Sequence, residues 1–197
     1  TLLEAALNYL INVKEVPVGG TSAGCAIQGE VYFDATNGTV RSNEALRNPY
    51  NQYMSLQRSN FLDVPYLENL ITDTHYDNPD RRGRQLTFMA RMAQDWGIRA
   101  HGIGVDEATA VCIDASGDAF VYGDGTAFFL RQRAAGPERC RAGRSLDWYR
   151  NRRAVEVTKI NGTTSGSGYF RLDTWQPGAG GTDQYYYVDR GRLKISY

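Results

Sequence analysis

The sequence predicts an α/β fold with a sharp strand–turn–helix unit near its start and a β-rich C-terminal extension. Three observations lead there. Gly20-Thr21-Ser22-Ala23-Gly24 follows an extended apolar run, Val16-Pro17-Val18-Gly19, and precedes a helix-like run, Ala23 to Val31. In the middle of the chain, β-prone segments (Leu70–Tyr76 and Gly102–Asp106) flank a helical one at 81–96. Beyond the break at Gly136-Pro137 only strand-like segments recur. With 197 residues, 42% of them hydrophobic and 22% charged, the chain is long enough for a sizeable core. Residues 1–135 are expected to form the α/β part and residues 136–197 the extension.

The elements follow in order. Leu2 to Ile11 places its apolar residues at a helical period, which predicts an amphipathic helix. At Gly20–Gly24 the glycines permit a tight turn without a Cβ clash. Such a turn would expose Ser22 Oγ and start a helix behind it, with free N–H groups and a positive dipole end. This is a nucleophile elbow, with Ala23 N–H as oxyanion donor; a turn of small residues without chemistry reads equally well from the pattern alone. Residues 81–96 form a helix presenting Leu86, Met89, Ala90 and Ala93 on one face and stopping at Gly97. Strands follow at Gly102–Asp106, Ala108–Asp114, Ala119–Tyr122 and Thr126–Arg131, the middle two joined by the turn Ala115-Ser116-Gly117-Asp118. The extension reads as strands at Ala154–Ile160, Tyr169–Thr174, Tyr185–Val188 and Leu193–Tyr197. No repeat occurs at solenoid periods.

A nucleophilic serine needs a base, and the chain has two histidines. His75 lies beyond the run Leu70-Ile71-Thr72-Asp73-Thr74, at the strand end where open α/β sheets collect their ligands. His101 lies at the start of the next strand, on the opposite edge. His75 is the better partner for Ser22.

Four blocks in order carry a resemblance: Gly20-Thr21-Ser22-Ala23-Gly24, Asp73-Thr74-His75-Tyr76, Arg82-Gly83-Arg84 and Gly102-Ile103-Gly104-Val105-Asp106-Glu107-Ala108-Thr109-Ala110. Over residues 1 to 130 the chain resembles the cyanophycinase-like serine peptidases, a family that includes the aspartyl dipeptidases. The resemblance implies a doubly wound, mostly parallel sheet of the class I glutamine amidotransferase type and a Ser-His-Glu or Ser-His-Asp triad. It makes Ser22 the nucleophile, His75 the base and Glu44, in Ser42-Asn43-Glu44, the orienting acid, with Asp34 and Glu107 as rivals. It puts Asp73, Thr74, Arg82 and Arg84 at substrate-binding positions, with guanidinium groups to grip aspartyl carboxylates. The chain departs from the family where Thr74 and Thr87 replace the usual side chains, with Arg81 as a substitute for the third arginine. It further implies an upstream part of the sheet, so this chain is expected to be the C-terminal piece of a longer protein, joined by a second chain or a missing segment.

The activity so expected is a serine peptidase cutting peptide or isopeptide bonds next to aspartate. The alternatives are an α-aspartyl dipeptidase or other omega-peptidase, and a catalytically idle binding domain. An aspartyl-containing peptide is the expected partner; a homodimer is left open. No metal or organic cofactor is implied. The formal charge is zero, which suggests no polyanionic partner. Arg139 to Arg153 is locally basic, carries Trp148 and Tyr149, lacks a nucleic-acid-binding signature and reads as a solvated connection. Cys25, Cys112 and Cys140 have no paired spacing, so neither zinc nor a disulfide framework is indicated. The apolar stretches are too short to cross a bilayer, and the sequence does not assign a compartment. Asn161-Gly162-Thr163 matches both a glycosylation acceptor and a turn, and Tyr185-Tyr186-Tyr187 reads as strand packing.

Overall fold

Along residues 126–132, Ala127 and Phe129 belong to one buried cluster while Phe128 and Leu130 belong to another. A strand with apolar residues on both faces has to be covered on both. The computed structural model, which describes residues 1–59, 61–133 and 135–197, covers one face with helices and the other with a second sheet.

In chain order the elements are α1 (Leu2–Asn12), α2 (Ala23–Ala26), β1 (Val31–Phe33), α3 (Ser42–Arg47), β2 (Leu56–Arg58), β3 (Leu70–Thr74), α4 (Arg82–Trp96), β4 (His101–Val105), β5 (Thr109–Ile113), β6 (Asp118–Gly123), β7 (Thr126–Gln132), β8 (Val155–Asn161), β9 (Gly168–Arg171), β10 (Gln176–Ala179), β11 (Thr182–Asp189) and β12 (Arg192–Ser196). The fold is mixed α/β. An eight-stranded sheet has the order β12-β11-β8-β7-β4-β3-β1-β2, and a four-stranded sheet the order β10-β9-β6-β5. Leu86, Met89 and Ala90 of α4 pack with Ile71, Phe128 and Leu130 on one face of the large sheet. Leu70, Ile103, Val105 and Phe129 meet Val121 and Phe170 of the small sheet on the other.

Among the described residues, parallel pairing in the large sheet is confined to β1–β3 and β3–β4; its other pairs are antiparallel. The sheet is therefore less parallel than the sequence suggests. After β4 the chain leaves for the β5–β6 hairpin and returns as β7 without a crossover helix, which forces an antiparallel partner. β8, β11 and β12 then continue the same sheet, while β9 and β10 join the smaller one.

The N-terminal third differs most from expectation. Residues 16–19 are extended but form no strand, and the helix after Ser22 ends at Ala26 because Val31 is already paired with Ile71 of β3. The short elements β1, α3, β2 and β10 have no sequence counterpart above. By contrast α1 and α4 lie where periodicity puts them, and Gly97 closes α4 in the left-handed conformation.

Gly104 shows how tightly β4 is held. A Cβ there would lie 2.6 Å from the ring of Tyr76, which is buried and packs on Phe128 with centroids 4.9 Å apart. Gly104→Ala should therefore destabilise the fold by about 1–3 kcal/mol. Urea unfolding should show a lower midpoint with an unchanged slope.

Candidate active site

β3 and β4 are parallel and in register, with Thr74 opposite Val105, so the residues that follow each strand emerge side by side. Tyr76 N–H donates to Val105 O at 3.2 Å and Glu107 N–H to Asp77 Oδ1 at 3.3 Å, tying the two strand ends together. His75 turns the chain with φ of 49°. Its Nδ1 lies 2.8 Å from Glu107 Oε1, and its Nε2 lies 3.1 Å from Ser22 Oγ. A carboxylate at Nδ1 accepts a hydrogen bond from Nδ1–H, which keeps the ring proton there and leaves Nε2 to accept the Ser22 hydroxyl hydrogen.

Ser22 reaches this point through a constrained turn. It has φ 52° and ψ −119°, a region costly for a residue with a Cβ, by about 1–3 kcal/mol. Gly20 is required beside it, since a Cβ there would lie 2.5 Å from the Gly24 carbonyl carbon. Thr72 Oγ1 on β3 donates to Cys25 O at 2.7 Å and fastens α2 to the sheet. Glu30 anchors the chain beyond, accepting from Asn69 N–H at 2.5 Å and Arg58 Nε at 2.8 Å. Gly24 N–H donates to Thr21 O at 2.9 Å, whereas Ala23 N–H has no acceptor among the described residues and stands free beside Ser22. The neighbouring Cys25 thiol is pushed up to about 11 by burial and by Asp73, so it stays protonated near neutrality.

Several expected residues lie elsewhere. Glu44 does not meet His75: it sits in the first turn of α3, and its carboxylate accepts Arg41 N–H at 2.9 Å. Asp34 is likewise engaged, by Thr36 N–H and Gln57 Nε2, each at 2.9 Å. Glu107 holds the position opposite Nδ1. The strand-end argument that selects His75 also selects Glu107, since both follow neighbouring parallel strands. His101 stacks on Trp175 with centroids 4.0 Å apart, and burial brings its imidazole down to about 4.

The arginines are also redistributed. Arg84 is buried and binds Asp73 with both edges of its fork, Nε to Oδ2 at 2.8 Å and Nη2 to Oδ1. Arg82 grips Asp80 in the same way, at 2.8 and 2.6 Å. Arg84 is thus buried in its pair, whereas Arg82 is held by Asp80 at the surface. Thr74 and Thr87 are buried, with Thr87 Oγ1 donating to Gly83 O at 2.8 Å. Arg81 differs: Nη1 donates to Thr74 O at 3.0 Å and lies 4.0 Å from Asp73, which Arg84 already neutralises. Burial and the Arg84 charge lower the Arg81 pKa, opposed by Asp73 and Glu107. Asp73 and Arg84 neutralise each other, which leaves Glu107 as the further carboxylate acting on Arg81.

Glu107 N–H thus ties to a loop whose next acidic neighbour is also perturbed. Asp106 is raised by burial and by Asp77, and its Oδ1 is buried without a partner. No protein-family model and no curated protein matches this chain.

Removing one member of a buried ion pair leaves the other charged and unsolvated. Arg84→Met should therefore destabilise the fold by about 3–5 kcal/mol, read from chemical denaturation. A variant of wild-type stability would return Arg84 to the list of free guanidinium groups.

Proposed function

We propose that this chain carries the catalytic centre of a serine peptidase, cyanophycinase-like in character, that cuts peptide or isopeptide bonds next to aspartate. The observation that carries the reading is the hydrogen-bonded line Ser22–His75–Glu107. The positive φ of Ser22 and the close approach of Gly20 to Gly24 support a nucleophile elbow. The parallel β1-β3-β4 portion supports a sheet of the doubly wound kind at this edge.

In this reading His75 Nε2 takes the Ser22 hydroxyl proton as Oγ attacks the scissile carbonyl. Ala23 N–H donates to the oxygen as it becomes negative. His75, held by Glu107, passes the proton to the leaving amine, and water hydrolyses the acyl-enzyme by the reverse sequence. Nothing in these steps requires a cofactor. The part of the Arg81 fork not bonded to Thr74 O supports an acidic group on the substrate, since Arg82 and Arg84 are each held by a carboxylate.

Active protein should label at Ser22 with a fluorophosphonate, and absence of labelling would favour an idle binding domain. Ser22→Ala and His75→Ala should each reduce kcat/KM on aspartyl peptides at least about ten-thousandfold. Glu107→Gln should cost about a hundredfold to ten-thousandfold, and Glu44→Gln should leave the rate unchanged. Full activity in a folded Glu107→Gln protein would remove Glu107 from the relay.

Arg81→Met should raise KM for aspartyl peptides about tenfold or more while leaving labelling at Ser22 and turnover of neutral peptides intact. Equal wild-type rates on acidic and neutral peptides would contradict the charge argument.

A further inference from the structure

We propose that a second site, an open pocket of about 540 Å³ bounded by Arg133, Arg150, Asn151 and Arg153, binds a small anion carrying two or more phosphate groups. The pocket lies at the other end of the large sheet from Ser22. Arg133 follows the last residue of β7 and Arg153 precedes β8, where Gln132 pairs with Val155; this is the end at which β4 starts, with His101 opposite Arg131.

The charges at this end are unbalanced. Among the described residues, the one carboxylate joined to the lining arginines is Glu138, which lies 3.4 Å from Arg150 Nε and also accepts Tyr149 N–H at 2.8 Å and Arg150 N–H at 3.1 Å. Arg150 further donates to Gly136 O, so its fork is occupied and it supplies charge rather than donors. Arg133 and Arg153 have no carboxylate partner among the described residues. Their guanidinium carbons lie 5.5 and 5.0 Å from the centre of the Tyr185 ring. Contact with a ring face positions a guanidinium without using its N–H groups. Arg133 gives one donor to Tyr185 Oη at 3.2 Å, and the rest of both forks stays available.

A pocket with two positioned, largely unused forks and a net surplus of more than one positive charge fits an oxyanion of multiple charge. Guanidinium forks match phosphate oxygens in pairs. A monovalent carboxylate would leave the surplus uncompensated and the volume mostly empty. Three arginines converge on one concavity, which fits a small molecule of multiple charge.

The test is isothermal titration calorimetry of the full chain with pyrophosphate at low ionic strength. Saturable binding at one site is expected, tighter than for inorganic phosphate and for citrate, and weakening with added salt. Arg133→Gln and Arg153→Gln should each weaken it about tenfold or more. Arg190→Gln, at a side chain 83% exposed and bonded to Asp189, should change nothing. The double replacement by lysine keeps the charge but loses the forks; it should preserve the melting temperature and still weaken binding. Non-saturable heats, an unchanged affinity in the glutamine or lysine variants, or citrate binding as tightly as pyrophosphate would each overturn the proposal.

Discussion

The buried pair between Asp73 and Arg84 organises the part of the molecule that presents His75. Asp73 points from β3 toward α4, and Arg84 meets it with two parallel hydrogen bonds from the first turns of that helix. The pair has no access to water, so neither partner can be displaced without leaving a bare charge. It fixes α4 over the end of β3, one residue before the turn that presents His75. It also absorbs the negative charge that would otherwise neutralise Arg81.

Much of the site was legible in the sequence because its signals are local. A serine between closely spaced glycines, and a histidine after a β-prone run, both depend on neighbours within a few residues. The carboxylate at His75 Nδ1 was not, because its identity depends on how β3 registers against β4. Glu44 is what the family resemblance implies, yet its carboxylate accepts the backbone N–H of Arg41 in a helix too short to be read from pattern. Arg82 and Arg84 carry a further local signal in their spacing. Residues two apart on a helix point about 200° from one another, so one faces the sheet if the other faces solvent, and they could not both grip one ligand. The fold was legible where periodicity was long, as in α1, α4 and the β5–β6 hairpin. It was not where strands of three residues pair only because the rest of the sheet is there.

The molecule also separates its charges along the strand direction. At one end of β3 and β4 lie Asp77, Asp106 and Glu107, with Arg81 as the nearby cation. At the other lie Arg133, Arg150 and Arg153. The formal net charge of zero conceals this arrangement. The two ends are joined by β4 and β7, whose side chains are buried almost throughout, so neither end screens the other through solvent.

The backbone at Ser22 has a consequence for how such a chain changes over time. Its positive φ is a conformation that glycine adopts at no cost, so replacement by glycine would relieve strain at the moment it removed the hydroxyl. Stability and the hydroxyl therefore pull in opposite directions at this one position. A lineage released from any requirement for the hydroxyl would gain thermal robustness by drifting to glycine there. Serine at this position thus holds its hydroxyl against the conformational preference of the backbone.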